Sequence, residues 1–91
     1  MKRAIQHNVA DNRFEWTEDG HLCVLEYQLS GSTMDITHTG VPPQAGGRGI
    51  AADLSAAALD TARENGWKVI PSCSYVAVYI RRNKQYQDLL A

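Results

Sequence analysis

The spacing of apolar residues changes once along this 91-residue chain, and that change limits the possible folds more than any other feature. Up to residue 39, apolar side chains recur at every second position, which is typical of half-buried strands. From residue 50 onward they follow the 3.6-residue repeat of an amphipathic helix, at Ile50, Leu54, Ala57, Ala58 and Ala62. The sequence therefore predicts a group of antiparallel strands followed by a helix.

Turn signals divide the first half of the chain into four predicted strands. The pair Asp19-Gly20, flanked by alternating apolar residues, favours the tight type I′ turn of a hairpin. Asp11-Asn12 and Ser30-Gly31-Ser32 mark two further turns. The strands are expected over residues 5–9, 13–17, 21–29 and 33–39.

Alternation also predicts which side chains share a face of these strands. In the third strand, Leu22 and Val24 lie opposite the apolar row that begins at Cys23, so we expect its first part to be covered on both sides. In the fourth strand, one face is predicted to carry Met34, Ile36 and His38. The other face is predicted to carry Asp35, Thr37 and Thr39.

The last third of the chain indicates a helix stop, a short strand and a second helix. Asn65-Gly66 favours the end of the long helix, because glycine accepts a left-handed conformation there. Residues 67–70 are expected to form a strand, and Ser74 is a suitable N-cap for a helix that begins near Tyr75. The alternative, on propensity alone, is a strand over residues 76–80. The tail is expected to pack back on the body through Tyr86, Leu89 and Leu90.

These elements together define the predicted fold class. A strand precedes the long helix and another follows it, and the crossover rule makes these two strands parallel. The expected class is mixed α/β (α+β), with a compact, mostly antiparallel sheet, a parallel strand–glycine loop–helix–strand unit and a final helix. We expect residues 1–91 to form a single domain, because a second independently folding core would need more chain.

Charge and composition exclude several classes of function. A formal net charge of −1 argues against a large nucleic-acid-binding surface. No apolar stretch approaches the roughly 20 residues needed to span a bilayer, and the N-terminus lacks the apolar segment of a secretory signal. Cys23 and Cys73 match neither a disulfide scaffold nor a metal-binding spacing, which indicates reduced thiols and no metal site. We expect a soluble, cytoplasmic monomer with no nucleic-acid or membrane partner.

A glycine-rich loop stands directly before the long helix. Gly46, Gly47 and Gly49 permit positive φ and let a ligand approach bare backbone, and the first amides of the helix carry the positive end of its dipole. Arg48 can add a charge-assisted hydrogen bond, so the loop suits a pyrophosphate. Neither the Walker loop nor the dinucleotide-binding fingerprint matches the spacing. The competing interpretation is a tight connection between strand and helix that binds nothing.

The motif Gln44-x-x-Gly47-x-Gly49 resembles the acetyl-CoA pyrophosphate loop of the GNAT superfamily of N-acetyltransferases. His38-Thr39-x-Val41-Pro42 before it, residues 70–75 (IPSCSY) after the helix and residues 86–89 (YQDL) in the tail are similar to the small, single-domain branch of that superfamily. The resemblance implies acetyl-CoA or CoA as cosubstrate. The residues it implies for binding are Thr39, Gly40, Val41, Gln44, Ala45, Gly46, Gly47, Arg48, Gly49 and Ile50.

Two residues are candidates for chemistry. Cys73 is expected at the carboxyl end of the last strand, near the start of the following helix, where a thiolate is favoured; the small branch carries a cysteine here, as an acetyl carrier or as a pocket wall. His38 can serve as a general base, since an ordinary histidine pKa suits proton removal at neutral pH. The alternatives are a buried small cysteine and a structural histidine.

Two tyrosines, Cys23 and a basic segment near the C-terminus are the other side chains for which the sequence suggests a role. Tyr75 and Tyr79 are candidates to protonate the departing CoA thiolate, as a tyrosine on this helix does in many members of the superfamily, or are simply core. Cys23 is expected in the core. Residues 81–84 (RRNK) form either a solvated turn or a contact with the 3′-phosphate of CoA.

The resemblance implies direct transfer of an acetyl group from acetyl-CoA to an unidentified amine on a small molecule or a protein. Two-step transfer through acetylated Cys73 is the second mechanism. The chain is too short for the N-terminal helices and C-terminal strands that usually build the acceptor pocket, which suits a macromolecular amine. It equally suits a CoA-binding module with little or no catalytic activity, and a third alternative is an interaction domain with a ligand-free loop.

Overall fold

Five strands and two helices make up the computed structural model, which describes residues 3–91. The sheet is ordered β1-β2-β3-β4-β5, so that every strand lies beside its neighbour in sequence. The strands are β1 (Gln6–Asn8), β2 (Arg13–Glu18), β3 (His21–Ser30), β4 (Thr33–Gly40) and β5 (Lys68–Pro71). The helices are α1 (Ile50–Asn65) and α2 (Ser74–Arg82), with short 3₁₀ helices at Pro43–Ala45 and Lys84–Leu89.

The pairing of the strands confirms the predicted fold class. β1 to β4 pair antiparallel, whereas β5 pairs with β4 in parallel, so the long connection through α1 links the two parallel strands. The hairpin turn between β2 and β3 has positive φ at Asp19 and at Gly20, as the type I′ turn requires. The fold is a mixed α/β arrangement with one parallel pair.

Both helices contribute to one core on one face of the sheet. Buried residues of β2 to β5 join buried residues of α1, α2 and the tail in a single cluster. The opposite face is polar for most of its length, and Leu22 on that face is 46% exposed. The prediction that both faces of early β3 are covered is therefore wrong, because no helix among residues 3–91 packs on that face.

Glycines set both ends of α1, as predicted. Gly49 stands before the first turn with φ 80°, and Gly66 ends the helix with φ 71°. The amide of Gly66 donates to the carbonyls of Ala62 and Arg63, which satisfies the last turn. Within residues 3–91, neither helix is long and apolar enough to cross a membrane.

Helix α2 begins one residue earlier than predicted. Ser74 is already helical, and Cys73 occupies the N-cap position with extended backbone. The tail packs as expected through Tyr86 and Leu89, which are buried. Leu90 forms a parallel backbone bridge with Val69, but its side chain is 42% exposed, so the prediction that Leu90 packs on the body is wrong for the side chain. The cysteine thereby stands at the start of the helix.

A β-bulge at Thr37 changes the alternation of β4. Glu26 pairs with His38, whereas the next residue of β3, Tyr27, pairs with Ile36, so β4 contains one extra residue. The side chains after the bulge therefore lie on the face of the sheet opposite to the one that strict alternation predicts.

The bulge places His38 on the exposed face and Thr39 on the helix face of the sheet. Thr39 pairs with Leu25, whose side chain is fully buried in the core, and His38 is exposed. The prediction that His38 shares a face with Met34 and Ile36 is therefore wrong, as is the prediction that Thr39 lies opposite them. The extra residue leaves no mark in the apolar pattern, because residues 37–40 (THTG) contain no large apolar side chain.

The surroundings of His7 in β1 predict how the free energy of unfolding depends on pH. His7 stacks on Phe14 with ring centroids 4.1 Å apart, and its Nε2 lies 2.7 Å from the Tyr27 hydroxyl. Burial lowers the pKa of His7, so the unfolded chain takes up its proton first as pH falls. The stabilisation is fully present above the unfolded pKa of about 6.5 and declines below it.

We expect the free energy of unfolding to fall between about pH 7.5 and pH 5.5, and to fall less in a His7→Gln variant. Chemical denaturation at several pH values measures both slopes. Equal slopes in the two proteins would assign the pH dependence to other groups. The carboxylates with lowered pKa, Glu15, Glu18 and Asp88, titrate below this window.

Candidate active site

A gap opens where the two parallel strands separate. Pairing between β4 and β5 ends at Ile36 and Pro71, and the amide of Cys73 then donates to the carbonyl of Ile36 at 2.9 Å. Beyond this point, residues 38–40 pair with β3 alone among the described strands. Because α1 and α2 each follow one of the two parallel strands, both helices begin at this end of the sheet.

The glycine loop forms one wall of this gap. The 3₁₀ helix before it places Ala45 in the core, and Ile50 after it is also buried, so these two side chains anchor the loop. Gly47 and Gly49 adopt φ of 76° and 80°. These positive φ values favour glycine. A Cβ at either glycine would meet no atom within 4 Å, so the space above the loop is open.

Backbone amides point from this loop without protein partners. Within residues 3–91, no amide of residues 47–52 donates to a protein acceptor. The first amide to do so belongs to Asp53, which donates to the Gly49 carbonyl at 3.1 Å. These free amides stand at the positive end of the α1 dipole, an arrangement that suits an anion.

The charged side chains around the loop are already paired with one another. Arg48 donates to Glu18 at 3.0 Å and to Asp19 at 2.7 Å, so its side chain is held by the β2–β3 turn. Arg3 donates to Asp53 at 2.7 Å and to the Arg48 carbonyl at 2.9 Å. These contacts neutralise the Asp53 carboxylate in the first turn and fix the loop from outside. The groups of the loop that are left without protein partners are therefore backbone amides, and the Arg48 side chain is already engaged.

Cys73 and Thr39 face each other across the gap. The Cys73 thiol lies 3.5 Å from the Thr39 hydroxyl oxygen, and the thiol is partly exposed. Thr39 reaches this position because the bulge turned it to the helix face. Sequence reasoning selected Thr39 only for its backbone bonds, because alternation predicted the other face for its side chain.

The surroundings of Cys73 favour its thiolate. Burial acts to raise the pKa of this thiol, but the Thr39 hydroxyl and the backbone groups of Val76, Tyr75 and Thr39 outweigh burial and lower it. Two of these groups belong to the first turn of α2, where the helix dipole also favours a negative charge. This agrees with the expectation that a thiolate is favoured here.

A Thr39→Val variant tests this arrangement. Removal of the hydroxyl is expected to raise the Cys73 pKa, so the pH at which iodoacetamide reacts at half its maximal rate moves upward. Peptide mass spectrometry follows the rate at each cysteine. Cys23 is the internal control, because burial raises its pKa and the residue is fully buried. An unchanged pH profile would show that the hydroxyl does not stabilise the thiolate.

The two candidate catalytic residues lie on different faces of the sheet. Cys73 lies beside the gap on the helix side, whereas His38 lies on the exposed face next to Glu26 in the β-ladder. The structure therefore does not bring His38 and Cys73 together as a pair. Within residues 3–91, no group of three or more His, Cys, Asp or Glu side chains is placed to hold a metal ion.

Three tyrosines form a row of stacked rings that runs from exposed Tyr75 through Tyr79 to buried Tyr86. Tyr75 stacks with Tyr79 at 6.5 Å between centroids, and Tyr79 stacks with Tyr86 at 6.1 Å. Burial and a 2.9 Å hydrogen bond to Asp60 raise the pKa of Tyr86 to about 12, so this residue is a packing element. Burial also raises the pKa of Tyr75, which is 42% exposed at the start of α2.

Comparison with known proteins agrees with this architecture. The family model of the GCN5-related N-acetyl-transferases matches residues 13–89. A GCN5-like protein from Staphylococcus aureus, with a solution structure determined by NMR, superposes with a TM-score of 0.76 at 31% identity. The superposition covers 96% of this chain and 86% of that protein.

Relatives from animals show the same similarity in sequence. Protein NATD1 of Xenopus tropicalis is 41% identical over 67 residues, which cover 72% of this chain and 62% of that protein. Protein NATD1 of Homo sapiens is also 41% identical over 67 residues, with 59% of its length covered. The match thus spans about three fifths of these relatives. On the family match and the shared fold, the chain belongs to the GCN5-related N-acetyltransferase family.

Proposed function

We propose that this protein is an acetyl-CoA-dependent N-acetyltransferase that uses the gap between β4 and β5. The observation that carries the proposal is the row of free amides at residues 47–52, next to a thiol with a lowered pKa. A loop that suits an anion and a thiol with a lowered pKa, both at the carboxyl end of the β4–β5 pair, suit a cosubstrate that has a pyrophosphate in one part and a thioester in another. Acetyl-CoA has this construction, and the family supports it.

The pyrophosphate is assigned to the loop. The amides of Gly47, Arg48, Gly49 and Ile50 would donate to its oxygens, and the open space above Gly47 and Gly49 admits them. The Gly46 amide already donates to the Pro43 carbonyl at 3.1 Å, so Gly46 is assigned the role of shaping the loop beside the ligand. Gln44 is exposed and is assigned a side-chain contact. The Ala45 side chain is buried and its amide donates to the Pro42 carbonyl at 2.9 Å, so Ala45 is assigned the role of anchoring the loop.

The pantetheine arm is assigned to the free edge of β4. Residues beyond Ile36 have no partner in β5, so Thr39, Gly40 and Val41 can bond the amides of the arm through backbone groups. The thioester would then lie near Cys73 and the bulge. This path follows a strand edge that is already extended, so binding requires little rearrangement.

The transfer step is direct in the first mechanism. The neutral amine attacks the thioester carbonyl, a nitrogen–carbon bond forms, the carbon–sulfur bond breaks, and CoA leaves as a thiolate that takes up the proton lost by the amine. A backbone amide of β4 polarises the carbonyl. The lowered pKa of Cys73 favours a second mechanism, in which the Cys73 thiolate accepts the acetyl group, releases CoA and then passes the group to the amine.

Release of CoA from acetyl-CoA in the presence of a panel of amines tests the proposal. The panel contains peptides with a free N-terminus, lysine peptides with a blocked N-terminus and polyamines. At least one class is expected to give an acetylated product, and Cys73→Ala is expected to reduce turnover by about 10²-fold or more under two-step transfer.

A His38→Ala variant tests whether His38 acts as a general base or is only a surface residue. A loss of turnover with intact CoA binding would support His38 as a general base, and unchanged turnover would leave it as a surface residue. Tight CoA binding with no product from any amine would contradict the enzyme and support the CoA-binding module.

A further inference from the structure

The side chain of Arg3 joins three parts of the structure beside the glycine loop. Its Nη1 donates to the Asp53 carboxylate of α1 at 2.7 Å, and its Nη2 donates to the Arg48 carbonyl of the loop at 2.9 Å. Its Nε lies 3.8 Å from a carboxylate oxygen of Glu18 at the end of β2. The guanidinium group stands 6.0 Å from the centre of the Trp16 ring. Arg3 therefore fixes the loop relative to both β2 and α1.

The charge of Asp53 is offset by Arg3 alone. Within residues 3–91, Asp53 forms no ion pair other than the one with Arg3. Arg48, the other arginine beside the loop, is already engaged by Glu18 and Asp19. The Arg3 and Asp53 side chains are only 19% and 21% exposed, so solvent screens this pair less than it screens a pair on the open surface. Removal of the Arg3 charge would leave the Asp53 carboxylate without a cation.

An unpaired carboxylate at Asp53 would act against an anion at the loop. Asp53 lies in the first turn of α1, directly after the free amides of residues 47–52. The positive end of the helix dipole attracts this carboxylate and a ligand phosphate alike, and the two negative groups repel each other. The free amides can therefore serve a ligand fully only when the charge of Asp53 is offset.

We infer that Arg3 is a positioning residue for the CoA site, which holds the Asp53 carboxylate aside and offsets its charge so that the loop amides bind the pyrophosphate. The inference rests on the proposed function, because it takes the anion at the loop to be the pyrophosphate of CoA. It adds a requirement from outside the loop, since Arg3 and Asp53 are 50 positions apart in the chain. Arg3 acts through Asp53 and is assigned no contact with the ligand.

Calorimetric titration with CoA of two single variants and their combination tests this role. Arg3→Met keeps the aliphatic stem and is expected to bind CoA about tenfold more weakly, because a like charge now stands unpaired near the ligand phosphates. The double variant Arg3→Met, Asp53→Asn is expected to return to within about twofold of the wild-type affinity, because the repelling charge is gone. Asp53→Asn alone is expected to bind CoA at least as tightly as the wild type.

The matched control is Arg63→Met. Arg63 also belongs to an ion pair, with Asp88 at 2.9 Å, but it lies in the last turn of α1, at the end of the helix away from the loop. Its replacement removes an arginine and one ion pair, as Arg3→Met does, and is expected to leave CoA affinity at the wild-type value.

The outcomes separate this inference from the proposed function. Wild-type affinity in Arg3→Met would overturn the inference, and so would a loss that Asp53→Asn does not restore, because Arg3 would then only hold the loop in shape. In both cases the wild type still binds CoA and the transferase proposal stands. Failure of the wild type to bind CoA would overturn the proposed function and the inference with it. If Arg3→Met folds poorly, Arg3→Gln replaces it, with the same expected loss and the same expected restoration by Asp53→Asn.

Discussion

A Gly47→Glu variant is expected to lose CoA binding by about a hundredfold or more, because a like charge placed against the ligand costs several kcal/mol. The new side chain would project into the open space above the loop, where the structure leaves no atom within 4 Å. Its carboxylate would also compete with the pyrophosphate for the free amides of residues 47–52. Calorimetry or a thermal shift with CoA measures the loss.

The control for this variant is Gly31→Glu. Gly31 has φ 60° in the turn between β3 and β4, and a Cβ there also meets nothing within 4 Å. Both variants therefore carry a similar backbone strain of about 1–2 kcal/mol and the same added charge. Gly31→Glu is expected to bind CoA like the wild type. A similar loss of CoA affinity in both variants would indicate a general effect of charge or strain. That result would contradict the assignment of the loop to the CoA site.

The second large effect is a loss of stability in a core variant, Leu59→Ala, and the recovery of that stability when CoA binds. Leu59 is fully buried in the middle of α1, and Leu59→Ala is expected to lower the free energy of unfolding by roughly 3 kcal/mol. In a domain of this size that corresponds to a fall in Tm of roughly 12–24 °C. CoA at about a hundredfold above its Kd should return about 2.7 kcal/mol, because it binds only the folded chain.

Thermal unfolding with and without CoA measures this recovery. Glu64→Ala on the exposed side of the same helix is the control, and its stability is expected to stay within about 0.5 kcal/mol of the wild type. The double variant Gly47→Glu, Leu59→Ala should show the low Tm with no recovery. Recovery in the double variant would place CoA elsewhere on the molecule, and no recovery in Leu59→Ala alone would argue against binding.

The fold could be predicted from the sequence because its signals are local. Alternation in β2 and β3, the Asp19-Gly20 turn and the glycines at 49 and 66 each depend on a few neighbouring residues. The glycine loop was predictable for the same reason, since its chemistry is that of backbone amides and needs no distant side chain.

The arrangement of the side chains at the site could not be predicted. The position of His38 and Thr39 depends on a bulge, and a bulge is set by pairing between strands rather than by the sequence of one strand. The pairing of Arg48 with Glu18 and Asp19 joins residues about 30 positions apart. Such long-range contacts leave no periodic trace, so sequence reasoning assigned Arg48 to the ligand and His38 to the wrong face.

Titration of ¹⁵N-labelled protein with acetyl-CoA, followed by amide chemical shifts, tests the central claim most directly. The account predicts saturable shifts concentrated at residues 39–41 on the edge of β4, residues 46–52 in the loop and the first turn of α2. It predicts little change on the exposed face of the sheet around Leu22. No shifts at millimolar acetyl-CoA, or shifts confined to that opposite face, would contradict the assignment of the gap between β4 and β5 as the acetyl-CoA site.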